Sequence, residues 1–158
     1  DSWVGGLAPA DYDRRVASHS AQVLAAIGAA GDAPSIHFGT GTGALLERLA
    51  AAGGDVIGLD HRIDLGEAWT RLGPERAVQG NLDPARLLGG RRAALEGADE
   101  VLTAAAGRSG HIFNLGHAAP PGTDPVLLAE LAAHVHAVSR RPAAIGERAA
   151  AAPVGGSR

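Results

Sequence analysis

The stretch Ser35-Ile36-His37-Phe38-Gly39-Thr40-Gly41-Thr42-Gly43 admits two folds, and the rest of the chain has to choose between them. Ile36 to Phe38 is a short apolar run of the kind found in buried parallel strands. The glycines after it make a tight strand-to-helix turn. Leu45, Leu46 and Leu49 then recur at helical spacing as far as Gly53-Gly54. A glycine-rich turn of this kind lets a ligand approach the backbone. Asp60 follows about 20 residues later, at the end of the next apolar run, where an acidic residue takes ribose hydroxyls. On that reading the sheet is open and Rossmann-like, and the Gly39–Gly43 loop with Asp60 is laid out to bind a nucleotide. On the other reading the glycines only make the turn, Thr42 caps the next helix, and Asp60 caps locally or pairs with Arg62.

Three further runs resemble the first: Val56-Ile57-Gly58-Leu59-Asp60, Ala77-Val78-Gln79-Gly80-Asn81 and His111-Ile112-Phe113-Asn114-Leu115-Gly116. All are short and continuous rather than alternating. Helices are predicted between them. Pro9 to Ala30 carries Val16, Val23, Leu24 and Ile27, with Pro9 in the first turn. Thr42 to Ala52 is followed by a short helix from Asp64 to Leu72. Pro84 to Ala106 breaks into two pieces at Gly89-Gly90. Asp124 to Arg140 carries Leu127, Leu128, Leu131, Val135 and Val138, with Asp124 as cap and Pro125 opening the first turn. Strand and helix alternate throughout, which predicts parallel βα units with right-handed crossovers. A typical eight-stranded α/β barrel takes about 250 residues. About four units behind a truncated start therefore predict an α/β fold, half of a TIM-type (β/α)8 barrel. Residues 142–158, rich in Ala and Gly, are expected to form a disordered tail.

Composition narrows the chemistry. The chain has 158 residues, 46% hydrophobic and 20% charged, and a net charge of -3, as suits one globular domain or a piece of a larger one. It has no cysteine, so disulfides, thiolate metal sites and cysteine nucleophiles are excluded. All 14 basic residues are arginine, which excludes a Schiff-base lysine and a phosphate-loop lysine. The slightly acidic balance argues against a nucleic-acid partner, and no apolar run is long enough to span a bilayer. The chain lacks methionine and opens on Asp1-Ser2-Trp3. That predicts a missing upstream part, and without a visible targeting segment a cytoplasmic location is expected.

The histidines differ in promise. His117 follows Asn114-Leu115-Gly116 and precedes the rigid turn Pro120-Pro121-Gly122-Thr123. In a barrel that is the active-site mouth, where a histidine donates to carboxylates or shuttles protons. His61 follows Asp60 at a strand end and can also reach the mouth. His37 and His111 lie inside strand runs and are expected to satisfy local hydrogen bonds. His19 is expected on a solvated helix face, and His134 and His136, two apart, point to different faces. Asp83 before Pro84 reads as a helix start. No cluster has metal-ligand spacing.

The blocks Asp1-Ser2-Trp3-Val4-Gly5, Ile36-His37-Phe38-Gly39, Gly58-Leu59-Asp60, Gly80-Asn81-Leu82-Asp83-Pro84 and Asn114-Leu115-Gly116-His117 occur in an order that resembles the C-terminal half of uroporphyrinogen decarboxylase. The resemblance covers residues 1–141. It implies an α/β barrel acting without cofactor, as a homodimer in the cytoplasm, in haem and tetrapyrrole synthesis. The family's reaction removes the carboxyl groups of the four acetate side chains of uroporphyrinogen III to give coproporphyrinogen III. The resemblance further implies that Ser2 and His117 contact the substrate. The catalytic residues, namely arginines, an aspartate and a tyrosine, are expected in the N-terminal half, so the chain alone is expected to be inactive. Where the family continues with glycine after the histidine, this sequence has Ala118-Ala119. The absence of cysteine counts against the zinc-dependent methylcobamide:thiol methyltransferases of the wider superfamily. The Gly39–Gly43 loop followed by Asp60 also resembles that of Rossmann-like S-adenosylmethionine-dependent methyltransferases, which is the alternative enzyme reading; a half-barrel acting only in binding or assembly is the non-catalytic alternative.

Overall fold

The structure, a computed structural model, describes residues 1–140. The segment 142–158, expected to be a disordered tail, lies outside the described residues. Four strands, β1 (Ile36–Phe38), β2 (Val56–Gly58), β3 (Ala77–Gln79) and β4 (His111–Ile112), form one sheet. Their order in space is their order in the chain, and every neighbouring pair is parallel. Ile36 pairs with Val56, Val56 with Ala77 and Val78 with His111. Beyond β3 and β4 a bridge between Leu82 and Leu115 prolongs the pairing. The strands are shorter than the apolar runs, although the Leu59 N–H still donates to the Gln79 carbonyl at 2.8 Å and the Gly80 N–H to the Ile112 carbonyl at 2.9 Å.

The helices are α1 (Pro9–Arg15), α2 (Ala17–Ala30), α3 (Leu46–Ala52), α4 (Leu65–Leu72), α5 (Ala85–Leu88), α6 (Gly90–Ala105) and α7 (Pro125–Ser139). They pack in chain order, α2 on α3, α3 on α4, α4 on α6 and α6 on α7. A doubly wound sheet reverses its strand order and carries helices on both faces. Here strand order and helix order both run forward, the pattern of consecutive units in a (β/α)8 barrel.

The core forms between sheet and helices. Ile57 and Val78 are wholly buried there, with Leu59, Leu65, Trp69 and Leu82. Small residues let α6 approach the β3–α5 turn. A methyl at Gly97 would lie 2.7 Å from Leu82 Cδ1. Trp69 donates its indole N–H to the Arg76 carbonyl at 2.8 Å, and the Arg108 guanidinium lies 4.2 Å from its ring centroid. The opposite face of the sheet is open, with Ile36 44% and Ile112 42% exposed.

The caps expected at Asp124 and Asp83 form: Asp124 accepts from the Val126 N–H at 2.8 Å and Asp83 from the Ala85 N–H at 2.9 Å. Asp64 also caps α4, accepting from the Glu67 N–H at 2.7 Å. Gly89 separates α5 from α6, and Gly90, with φ +76°, opens α6. Two expectations differ. The single helix from Pro9 to Ala30 is broken at Val16, whose backbone turns out of helical geometry. The break tucks Tyr12, with no exposed surface, against Leu45 and Leu49. On α2, Val23 and Ile27 are exposed. Thr42 does not cap α3. It opens a short 3-10 turn, Thr42–Leu45, and its hydroxyl donates back to the Gly39 carbonyl at 3.0 Å.

Candidate functional site at the carboxyl ends of the strands

The glycine loop after β1 is occupied by the chain itself. The Thr40 N–H donates to the Ser2 carbonyl at 3.3 Å, and the Thr40 hydroxyl donates to the same oxygen. The Gly5 backbone lies directly on the turn, where a methyl would sit 2.3 Å from the Thr40 carbonyl oxygen and 2.5 Å from that of Gly41. Asp60 is 2% exposed, and its carboxylate turns inward to accept the Gly41 and Arg62 backbone N–H groups. Both features proposed for S-adenosylmethionine are thus committed to internal contacts. The glycines make room for the Asp1–Gly6 segment, and Asp60 ties the β1 turn to the β2 turn. The methyltransferase reading is not supported.

The segment is anchored from below by Asp1. Its carboxylate accepts from the Tyr12 hydroxyl at 2.9 Å and the Ser20 hydroxyl at 2.8 Å, and meets His37 Nε2 at 2.9 Å. On its other side His37 Nδ1 donates to the carbonyls of Leu49 at 3.0 Å and Gly53 at 3.2 Å. With Nδ1–H so used, the contact with Asp1 needs a proton lying between Nε2 and the carboxylate. Burial pushes the His37 pKa below its usual value against the pull of the two carbonyls, and burial raises that of Tyr12. Of these groups the sequence marks only Asp1, in the opening block, and His37, in a strand run. No spacing pattern connects Asp1 with His37 or Tyr12, so only the folded chain reveals the cluster.

Ser2 and Trp3, held above this anchor, face the far end of the chain. The Trp3 and His117 rings lie 6.2 Å apart, centroid to centroid. Ser2, Trp3 and His117 line one cavity of about 640 Å³, together with Phe38, Gln79 and Asn114 from the open face of the sheet. Both predicted site residues, Ser2 and His117, are exposed to this space. The last turn is drawn in closely: the Gly116 N–H donates to the Leu82 carbonyl at 2.7 Å, and a methyl on Gly116 would lie 2.4 Å from the His61 nitrogen. Ala118 does not have a positive φ, so alanine fits where the family pattern has glycine. Trp3 and Asn114 sit in the blocks that carry the resemblance, and Gln79 immediately precedes the block that starts at Gly80.

The other histidines behave largely as expected. His111 Nε2 donates to the Gly80 carbonyl at 2.8 Å, and burial lowers its pKa. His134 pairs with Asp99 at 2.7 Å, while His19 and His136 are exposed. Among the described residues, no group of three or more His, Asp or Glu side chains is placed to hold a metal, and no helix is long and apolar enough to cross a membrane.

Comparison with known proteins agrees with this arrangement. Residues 1–138 match the family model described as uroporphyrinogen decarboxylase (URO-D). The chain is 52% identical over 141 residues to a protein of Streptomyces coelicolor named uroporphyrinogen decarboxylase, covering 89% of this chain and 39% of that one. A protein of the same name from Streptomyces griseus is 53% identical over 141 residues, covering 89% and 38%. Another from Nocardia farcinica is 51% identical over 143 residues, covering 86% and 40%. The chain thus spans about two fifths of the length of the curated relatives it matches. With the match extending over nearly all the described residues, the chain belongs to the uroporphyrinogen decarboxylase family.

Proposed function

We propose that these residues form the C-terminal half of a uroporphyrinogen decarboxylase, in which Ser2 and His117 bind carboxylates of the tetrapyrrole. The observation that carries this reading is the meeting of Ser2 and His117 in one cavity at the carboxyl ends of consecutive parallel strands, from opposite ends of the described chain. In an α/β barrel that end holds the substrate.

The chemistry asks little of nucleophiles. An acetate side chain loses carbon dioxide when its C–C bonding electrons pass into a pyrrole ring that has been protonated. A proton then adds to the side-chain carbon to give a methyl group, and loss of the proton that first entered the ring restores the pyrrole. The protein must orient a polycarboxylate, deliver and accept protons, and offset the cationic intermediate. Ser2 supplies a hydroxyl donor and His117 an imidazole donor. The carboxylate that offsets the cation is not among the residues lining this cavity, and the remainder of the barrel supplies it. The 158-residue polypeptide alone is therefore expected not to convert uroporphyrinogen. The complete enzyme is inferred to be a cytoplasmic homodimer, on the strength of the family alone.

The test is a chimera in which residues 1–140 replace the matching portion of the Streptomyces coelicolor protein. It should convert uroporphyrinogen to coproporphyrinogen, and Ser2→Ala and His117→Ala should each reduce kcat/KM by about ten- to a hundredfold, as for lost hydrogen bonds to a charged group. A folded chimera without activity, or full activity in both variants, would overturn the reading.

A further inference from the structure

We propose that Arg62 is a specificity-determining residue, receiving a peripheral carboxylate of the tetrapyrrole at the rim of the mouth. The inference deepens the function proposed above and rests on it. A second cavity, of about 400 Å³, adjoins the first across the Trp3–His117 pair. Arg62, His61 and Asp83 line it together with these two residues. Its walls come from the segments after β1, β2, β3 and β4.

The charges around it are unequally committed. Asp83 accepts from the Ala85 N–H at 2.9 Å as the start of α5. Asp60 is buried and accepts from two backbone N–H groups. Arg62 reaches Asp60 only at 3.5 Å, and its side chain is 63% exposed. Its position is nevertheless defined: its Nη1 lies 3.3 Å from where a methyl on Gly41 would project, so the guanidinium rests across the glycine turn. His61 adds a second polar group, its Nδ1 buried without a hydrogen-bond partner. A planar cation with donors to spare, beside two imidazoles and above the cavity that holds Ser2, is the arrangement a carboxylate requires. A substrate with eight carboxylates needs such groups at the rim as well as at the reacting acetate.

The experiment titrates the 158-residue chain with uroporphyrin, a stable eight-carboxylate probe, following tryptophan fluorescence, since Trp3 borders both cavities. Arg62→Ala should weaken binding about tenfold and flatten its dependence on salt, and Arg62→Lys should recover part of the loss. Arg92→Ala, which removes an arginine 89% exposed on α6, should leave affinity unchanged. Equal affinity in Arg62→Ala, equal losses in the two alanine variants, or no saturable binding would overturn the inference. Turnover by the chimera reports separately. An active chimera with no effect of Arg62 sinks this inference alone, whereas Arg62-dependent binding with an inactive chimera sinks the decarboxylase reading.

Discussion

Gly5 shows how much one missing methyl decides. Its backbone presses on the Thr40 and Gly41 carbonyls, which belong to a turn that cannot yield as a flexible side chain would. Gly5→Ala should therefore cost about 1–3 kcal/mol, read as a lowered urea midpoint. Gly6→Ala has no neighbour within 4 Å and should be close to neutral. Equal effects of the two would refute the close packing of the opening segment on the glycine loop. Asp60 makes the same point in chemical terms. Spacing alone made it a candidate for ribose hydroxyls, but its carboxylate accepts the Gly41 N–H instead. Which hydrogens a carboxylate accepts depends on where two distant turns meet, and residue spacing carries no record of that.

Elements were legible in proportion to how local their determinants are. Asp83 and Asp124 cap as predicted because a cap involves only the next two residues, whereas Thr42, expected to cap α3, opens a 3-10 turn instead. The break at Val16 was not legible, because burying Tyr12 against Leu45 and Leu49 outweighs helical continuity. Strand β4 offers a test that depends on pH. His111 donates from Nε2 to Gly80, and burial disfavours its charged form, so its folded pKa lies below the ordinary imidazole value of 6.5. Below that value the unfolded chain binds a proton that the folded chain resists, so this contribution to stability is present above pH 6.5 and lost as pH falls through the folded pKa. Urea midpoints measured from pH 7.5 down to pH 5 should fall, and the fall should be shallower in His111→Gln. An identical pH profile in that variant would exclude His111 as a source.

At the scale of the molecule, the sheet ends in two uncovered edges among the described residues, β1 and β4. Ile36 and Ile112 are exposed on its open face, and Trp3 is 80% exposed at the mouth. Unpaired strand edges beside apolar surface favour association. The 158-residue polypeptide is expected to sediment as concentration-dependent oligomers, and adding the remaining portion of a relative, expressed separately, should shift it toward a defined complex. A monodisperse monomer at all concentrations would contradict this.

The sequence by itself determined the alternation of four strands with helices and the caps at Asp83 and Asp124, and the blocks around Ser2 and His117 made that pair the candidates. These follow from local periodicity and from short motifs whose residues are neighbours in the chain. The tertiary structure alone decided that the strands lie in chain order with successive helices packed side by side, that the opening segment occupies the glycine loop, and that Asp1 is held by Tyr12, Ser20 and His37. Those outcomes rest on contacts between residues far apart in sequence. Close packing and the pairing of buried polar groups select them only once the whole chain has condensed.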